Sequence, residues 1–178
     1  AIGGAGPSGL VAGKYLAEHG AKVAIFERKL QTGGGMWGGG MLFPKIVVQE
    51  EAKFLLDEMG IKSKRRDGQF IANSIEAVSK ITAHTLDAGA KIFNGISIED
   101  VIQRENKITG VVINWSFLRE WHVDPLAIMS KFVVDATGHE AEICRIFQKK
   151  VRNLKIPTKE IKGEQSMWAE KSEKLVVK

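Results

Sequence analysis

What this chain lacks narrows its class. A single cysteine, Cys144, stands in 178 residues, which excludes an internal disulfide and fits a reducing, cytoplasmic setting. No apolar run approaches the roughly 18 residues of a membrane-crossing helix, and no signal peptide is visible. There is no internal repeat, and a glycine-rich stretch near residue 35 is the only low-complexity tract. The formal charge is +5, yet its densest cluster, Lys62-Ser63-Lys64-Arg65-Arg66, has no aromatic residues between the cations. It reads as a solvated loop and not as a nucleic-acid surface. Apolar residues make up 44% and charged residues 26%, enough apolar material for one good core.

What is present begins at once. Ala1-Ile2 reads as the end of an apolar strand, followed by Gly4-Ala5-Gly6-Pro7-Ser8-Gly9. An amphipathic run from Leu10 to Ala17 follows, stopped at Gly20, and then the strand Lys22–Phe26, closed by Glu27-Arg28. Strand, G-x-G-x-x-G, helix, strand and acid are the parts of a dinucleotide-binding βαβ unit. Gly4 permits the tight turn, Gly6 leaves the pyrophosphate unobstructed, and Gly9 lets the helix lie close to the strand. Pro7 suits the first helical position, and the N–H groups of that helix end face phosphate. Glu27, roughly 20 residues on, can accept both hydroxyls of an unphosphorylated adenosine ribose. Arg28 invites a 2′-phosphate, but Glu27 repels one, so the expected ligand is NAD or FAD.

Further along, Gly33-Gly34-Gly35-Met36-Trp37-Gly38-Gly39-Gly40 cannot form a stable element by itself and reads as a loop closing over a ligand. Periodicity predicts a helix over Val47–Met59, a strand at Gln69–Ile71, and a helix opened by Asn73 with Glu76 as a capping box. Lys91–Asn94 is a strand. Ile96–Ile102 and Ile108–Trp115 form a hairpin turning at Asn106-Lys107, whose Ile98 region is expected to pass the adenine. Phe132–Gly138 is a buried strand, and Lys174–Lys178 reads as another. His19 and His84 read as surface or packing residues. Cys144 reads as a packing residue on the apolar side of a helix, not a nucleophile.

An apolar strand ending Asp135-Ala136-Thr137-Gly138, after the opening fingerprint, resembles the two-dinucleotide-binding flavoprotein superfamily: a Rossmann-like α/β fold with a β-meander insertion. The finer match lies in Gly33–Phe43, in His122-Val123-Asp124-Pro125-Leu126 and in Asp135-Ala136-Thr137-Gly138-His139, with Val47–Ala52 and Val112–Ser116 agreeing. Together these resemble the thiamine thiazole synthase family, in its archaeal, sulfide-dependent branch.

The resemblance implies an enzyme that consumes NAD as a substrate and condenses it with glycine and sulfide to an ADP-linked thiazole carboxylate, with Fe(II) as cofactor. It implies that Ser8, Glu27, Arg28, Gly35, the Ile98 region and His122-Val123-Asp124 contact the dinucleotide. It further implies that Asp124 and His139, from neighbouring subunits of a homo-oligomer (an octamer by analogy), hold the iron, so that His122, Asp124 and His139 carry the catalysis. In the branch that sacrifices its own sulfur a cysteine stands where His122 stands here, so sulfide is expected from solution. Read from the residues alone, His139 is a loop histidine after a strand, and His122 is either packed or exposed. Asp124 and His139 have no recognised metal spacing.

Two departures accompany the resemblance. The segment Ser116–Trp121 is about two residues shorter than the family's, and the family's final glycine-rich stretch is not met before Lys178. The expectation is one dinucleotide-binding domain over residues 1–178, short of the start of its first strand and of that last segment. The other readings of the fingerprint are an FAD-dependent oxidoreductase and a non-catalytic NAD-binding domain. Sugar-bisphosphate isomerisation finds no supporting acid–base pair.

Overall fold

Glycine turns and β-branched runs set the element boundaries of this chain. Its computed structural model describes every residue except 39–40, 106, 119–120, 122, 152–160, 162–168 and 178. In chain order the elements are β1 (Ile2–Gly3), α1 (Pro7–Glu18), β2 (Ala24–Glu27), a 3-10 turn (Gly34–Gly38) and β3 (Lys45–Val48). A second 3-10 turn (Glu50–Ala52), α2 (Lys53–Glu58), β4 (Ser63–Arg66), β5 (Gln69–Asn73), α3 (Ser74–Asp87) and β6 (Lys91–Asn94) follow. The chain continues through β7 (Ile96–Arg104), β8 (Lys107–Trp115), β9 (Leu126–Met129), β10 (Val134–Asp135), α4 (Glu142–Lys150) and α5 (Ala169–Val177).

The central sheet is parallel, in the order β10-β1-β2-β6. β1 lies in its middle, with Ile2 opposite both Val134 and Ile25. Side chains alternate across a strand, and β2 shows the result. Ile25 enters one buried cluster, with Ile2, Leu10 and Ile81 from the helical side. Phe26 enters another, with Ile96, Val111 and Ile113 from the antiparallel meander β7-β8-β9. The order is therefore helices, parallel sheet, meander, as expected for the flavoprotein-type α/β fold.

On the helical side α1 packs on α3. The buried Thr85 hydroxyl lies 3.0 Å from the Leu10 carbonyl and 2.7 Å from that of Ile81. Gly13 lets α1 lie close to β2, since a Cβ there would meet Ile25 Cδ1 at 2.6 Å. Lys14, 4% exposed, is the charged exception in this layer. Its Nζ lies 2.8 Å from Glu18 and 2.5 Å from Glu58, and the Tyr15 hydroxyl donates to Glu58 as well. Desolvation works to lower the Lys14 pKa, but bonding to the two carboxylates outweighs it and the pKa rises.

Several expectations are corrected. The stretch from Val47 to Met59 is not one helix: Val47 and Val48 belong to β3, which pairs antiparallel with β5. The helix waits until Lys53 because β-branched Ile46-Val47-Val48 favour the sheet. Lys62–Arg66 is not a loop, since Ser63–Arg66 pairs with β5 as an edge strand. Its cations point to solvent, as edge strands require. The strand around residues 132–138 is only Val134–Asp135, and it is half-buried. β9 had no expectation. The final stretch is helix and not strand: Leu175 and Val176 are buried on α5, and Lys45 Nζ donates to the Val176 carbonyl at 2.7 Å. At α3 the Asn73 cap holds, with Glu76 N–H donating to Asn73 Oδ1 at 2.9 Å. The reciprocal half of the box differs, because the Glu76 carboxylate takes Lys62 N–H and Lys80 instead.

Candidate functional site

The first turn of α1 meets the ends of β1, β2 and β10, at the carboxyl edge where open α/β sheets bind ligands. Gly4 has φ +96, and a Cβ on it would strike the Ala136 carbonyl oxygen at 2.2 Å. The turn is thus bound to the Asp135–Gly138 stretch, whose Ala136 N–H donates to the Gly3 carbonyl at 2.8 Å. Gly9 is buried, and a Cβ there would lie 2.0 Å from the Gly4 carbonyl oxygen. No side chain caps the helix, and Pro7 opens it. Ser8 is exposed beside it.

The glycine-rich stretch docks onto this turn. Gly33 N–H donates to the Ala5 carbonyl at 2.7 Å. A Cβ on Gly34 would come within 3.1 Å of Gly6 Cα. Gly6 and Gly34 therefore pack backbone against backbone, with no room for a side chain between them. Gly35, exposed and with nothing within 4 Å of an added Cβ, borders open space. The uncapped first turn of α1, with open space beside Gly35, suits a pyrophosphate, which can approach the N–H groups directly.

Glu27 is 6% exposed. Its carboxylate accepts from Ala5 N–H at 2.8 Å and from Lys29 N–H at 2.9 Å. The acid at the end of β2 is therefore fixed against the glycine turn, where a ribose would lie beside the pyrophosphate. Arg28 is paired with Glu142 at the start of α4, Nη1 to Oε1 at 2.6 Å. Ile98 packs partly buried near Gly3, at the mouth of the same edge and beside a register shift in β7.

Val123 is half-buried, and its carbonyl accepts from Asn114 Nδ2 at 3.2 Å. Asp124 follows, exposed, two residues before β9, and His139 is exposed in the turn closed by Ala141 N–H donating to the Gly138 carbonyl. His122 lies outside the described residues. Among the described residues no three His, Cys, Asp or Glu side chains gather as a metal site. A carboxylate and an imidazole are suitable donors for Fe(II), and two of them form part of a coordination shell.

Sequence reasoning missed the network behind β10. Asp135 Oδ1 accepts from Thr137 N–H at 3.0 Å and from its hydroxyl at 2.6 Å, while Oδ2 accepts from Cys144 N–H at 2.8 Å. Desolvation opposes ionisation of Asp135, but these donors prevail and its pKa falls. The signal was there, since Asp-x-Thr ahead of a helix is a side-chain capping pattern. Cys144 is also corrected. It is exposed and not packed on the apolar face, where Ile143 is buried instead. Partial desolvation of its thiol, with the Asp135 carboxylate beside it, pushes its pKa from 9.0 to about 11.

The model of the Thi4 family matches residues 1–178. The thiamine thiazole synthase of Methanosarcina mazei is 53% identical over 181 residues, covering 99% of this chain and 70% of that protein. That of Pyrococcus horikoshii is 51% identical, covering 100% and 70%. The crystal structure of Thermovibrio ammonificans THI4 superposes with a TM-score of 0.80 at 48% identity, covering 84% of this chain and 60% of that one. L-proline dehydrogenase from P. horikoshii superposes with a TM-score of 0.64 at 15% identity, a likeness of fold alone. The chain thus spans about 70% of these curated relatives and 60% of the THI4 chain.

Proposed function

Because this chain belongs to the Thi4 family, we propose that it takes part in thiamine biosynthesis as a sulfide-dependent, Fe(II)-requiring synthase of the ADP-linked thiazole. Its substrates are NAD, glycine and sulfide. The relatives named as thiamine thiazole synthases support thiazole formation. The observation that carries the dinucleotide part is the glycine turn at the uncapped start of α1, with Glu27 fixed at its side by Ala5 N–H.

In this reading the chain's own groups act by holding and excluding. The first turn of α1 receives the pyrophosphate, and Glu27, held by Ala5 and Lys29 N–H, keeps lone pairs on both oxygens to accept ribose hydroxyls. The 3-10 turn at Gly34–Gly38 flanks that turn, with Trp37 Nε1 donating to the Thr32 carbonyl to brace it. Asp124 and His139, supplied by neighbouring subunits, hold Fe(II). When bound, iron provides a Lewis acid with affinity for sulfide. Imidazole at position 122 has no sulfur to give, and the Cys144 thiol stays protonated at neutral pH, so sulfur comes from solution. No helix among the described residues is long and apolar enough to cross a membrane.

The test is anaerobic incubation with NAD, glycine and Fe(II), with and without sulfide, followed by mass spectrometry of protein and small molecules. The expected result is an ADP-thiazole and released nicotinamide only when sulfide is added. Thiazole without sulfide, with the protein lighter by one sulfur atom, overturns the sulfide requirement. Bound flavin with substrate-dependent bleaching assigns the fold to an oxidoreductase instead.

A further inference from the structure

Arg28, one of the residues expected to contact the dinucleotide, is ion-paired with Glu142, a residue to which that reading gives no role. Both side chains are partly exposed, 54% and 37%, yet both backbones are anchored. Glu142 N–H donates to Thr137 Oγ1 at 2.8 Å, and Thr137 Oγ1 donates to Asp135 Oδ1. The Arg28 carbonyl accepts from Ser116 Oγ at 2.6 Å. The pair joins the end of β2 to the start of α4, beside Glu27.

We propose that Glu142 is a specificity-determining positioning residue: by engaging Arg28 it withholds the guanidinium from a ribose 2′-phosphate, so that the site accepts dinucleotides whose adenosine ribose is unphosphorylated. The proposal rests on the dinucleotide reading given above. Its chemistry is a competition for one cation. Arginine at the end of such a strand is the group that accommodates a 2′-phosphate, and its planar fork takes carboxylate or phosphate equally well. Here Nη1 is already engaged by a carboxylate, and Glu27 adds a second negative charge beside it. A 2′-phosphate brings nearly two more. It must displace Glu142 and approach both acids. A glutamine at position 142 keeps the shape but drops the charge, leaving Arg28 available.

The experiment measures affinities for NAD and NADP, and for ADP-ribose and its 2′-phosphate, by calorimetry at low ionic strength. The proteins are the unsubstituted chain, Glu142→Gln, Glu142→Asp and Arg28→Ala/Glu142→Gln. Glu142→Gln should raise affinity for the 2′-phosphorylated ligands relative to the others by about fivefold, the scale of an exposed ion pair. Glu142→Asp, which keeps the charge, should restore the original ratio. The gain should vanish in the double variant. An unmoved ratio in Glu142→Gln, or a gain that survives loss of Arg28, overturns the proposal. A merely structural Glu142 would weaken all four ligands together and leave the ratio unmoved. If the unsubstituted chain binds none of the four, the dinucleotide reading falls and this proposal falls with it, a result distinct from an unmoved ratio in a chain that binds NAD.

Discussion

Gly9 and Gly4 are in contact through bare backbone: a methyl group on Gly9 would lie 2.0 Å from the Gly4 carbonyl oxygen. That oxygen belongs to a turn held by Gly4 N–H donating to the Phe26 carbonyl at 2.7 Å, so it cannot give way cheaply. Gly9→Ala should cost about 1–3 kcal/mol and abolish dinucleotide binding. Gly13→Ala meets the end of the buried Ile25 side chain and not backbone, and gains about 1 kcal/mol of helix propensity, so it should cost less than Gly9→Ala. Urea unfolding of the two variants checks the order, and equal losses would count against the contact.

The Lys14 cluster predicts a pH window. Hydrogen bonds from Lys14 and Tyr15 hold Glu58 below its ordinary 4.5, so its contribution is present above 4.5 and is lost as pH falls through the folded-state value. The Lys14 pKa is raised above 10.5, so its contribution is present below 10.5 and is lost as pH rises through the folded-state value. Glu58→Gln should lower Tm at neutral pH, and the gap from the unsubstituted protein should close in acid. A constant gap from pH 3 to pH 8, followed by circular dichroism, would contradict this.

Cys144 should be a slow nucleophile although it is exposed. With its pKa near 11, alkylation by iodoacetamide should rise with pH until about that value, because the thiolate is the reacting form. Asp135→Asn removes the neighbouring charge and should bring the midpoint down. Cys144→Ser should leave sulfide-dependent thiazole formation nearly unchanged. Fast alkylation at pH 7 would refute the desolvated thiol.

The iron assignment predicts that Asp124→Ala and His139→Ala each lose metal while the fold persists. Anaerobic metal analysis beside circular dichroism separates the two effects. Full iron in both variants would remove these residues from the site.

The glycine turn, the acid after β2 and the hairpin were legible in sequence because each depends on neighbours within a few residues. The Asn73 cap was legible for the same reason. What escaped was set by partners distant in sequence. Val47 and Val48 pair with Ile71 and Phe70, which no helical period reveals. Leu175 and Val176 are apolar enough for a strand, and the chain places them on a helix packed near β3. Cys144 failed by one position: Ile143 took the buried face. The Arg28–Glu142 pair spans too much of the chain for any spacing rule to find.

The parallel sheet also acts as a partition between neighbours. Ile25 and Phe26 are adjacent in the chain, yet one is enclosed by helices and the other by the meander. A volume change at the first is borne by α1 and α3, and at the second by β7 and β8. Shortening both should therefore cost close to the sum of the single losses, as for distant sites, although one peptide bond joins them. The two layers are thus free to be remodelled separately, so that the surface around the meander can change while the helix that opens at the glycine turn stays as it is.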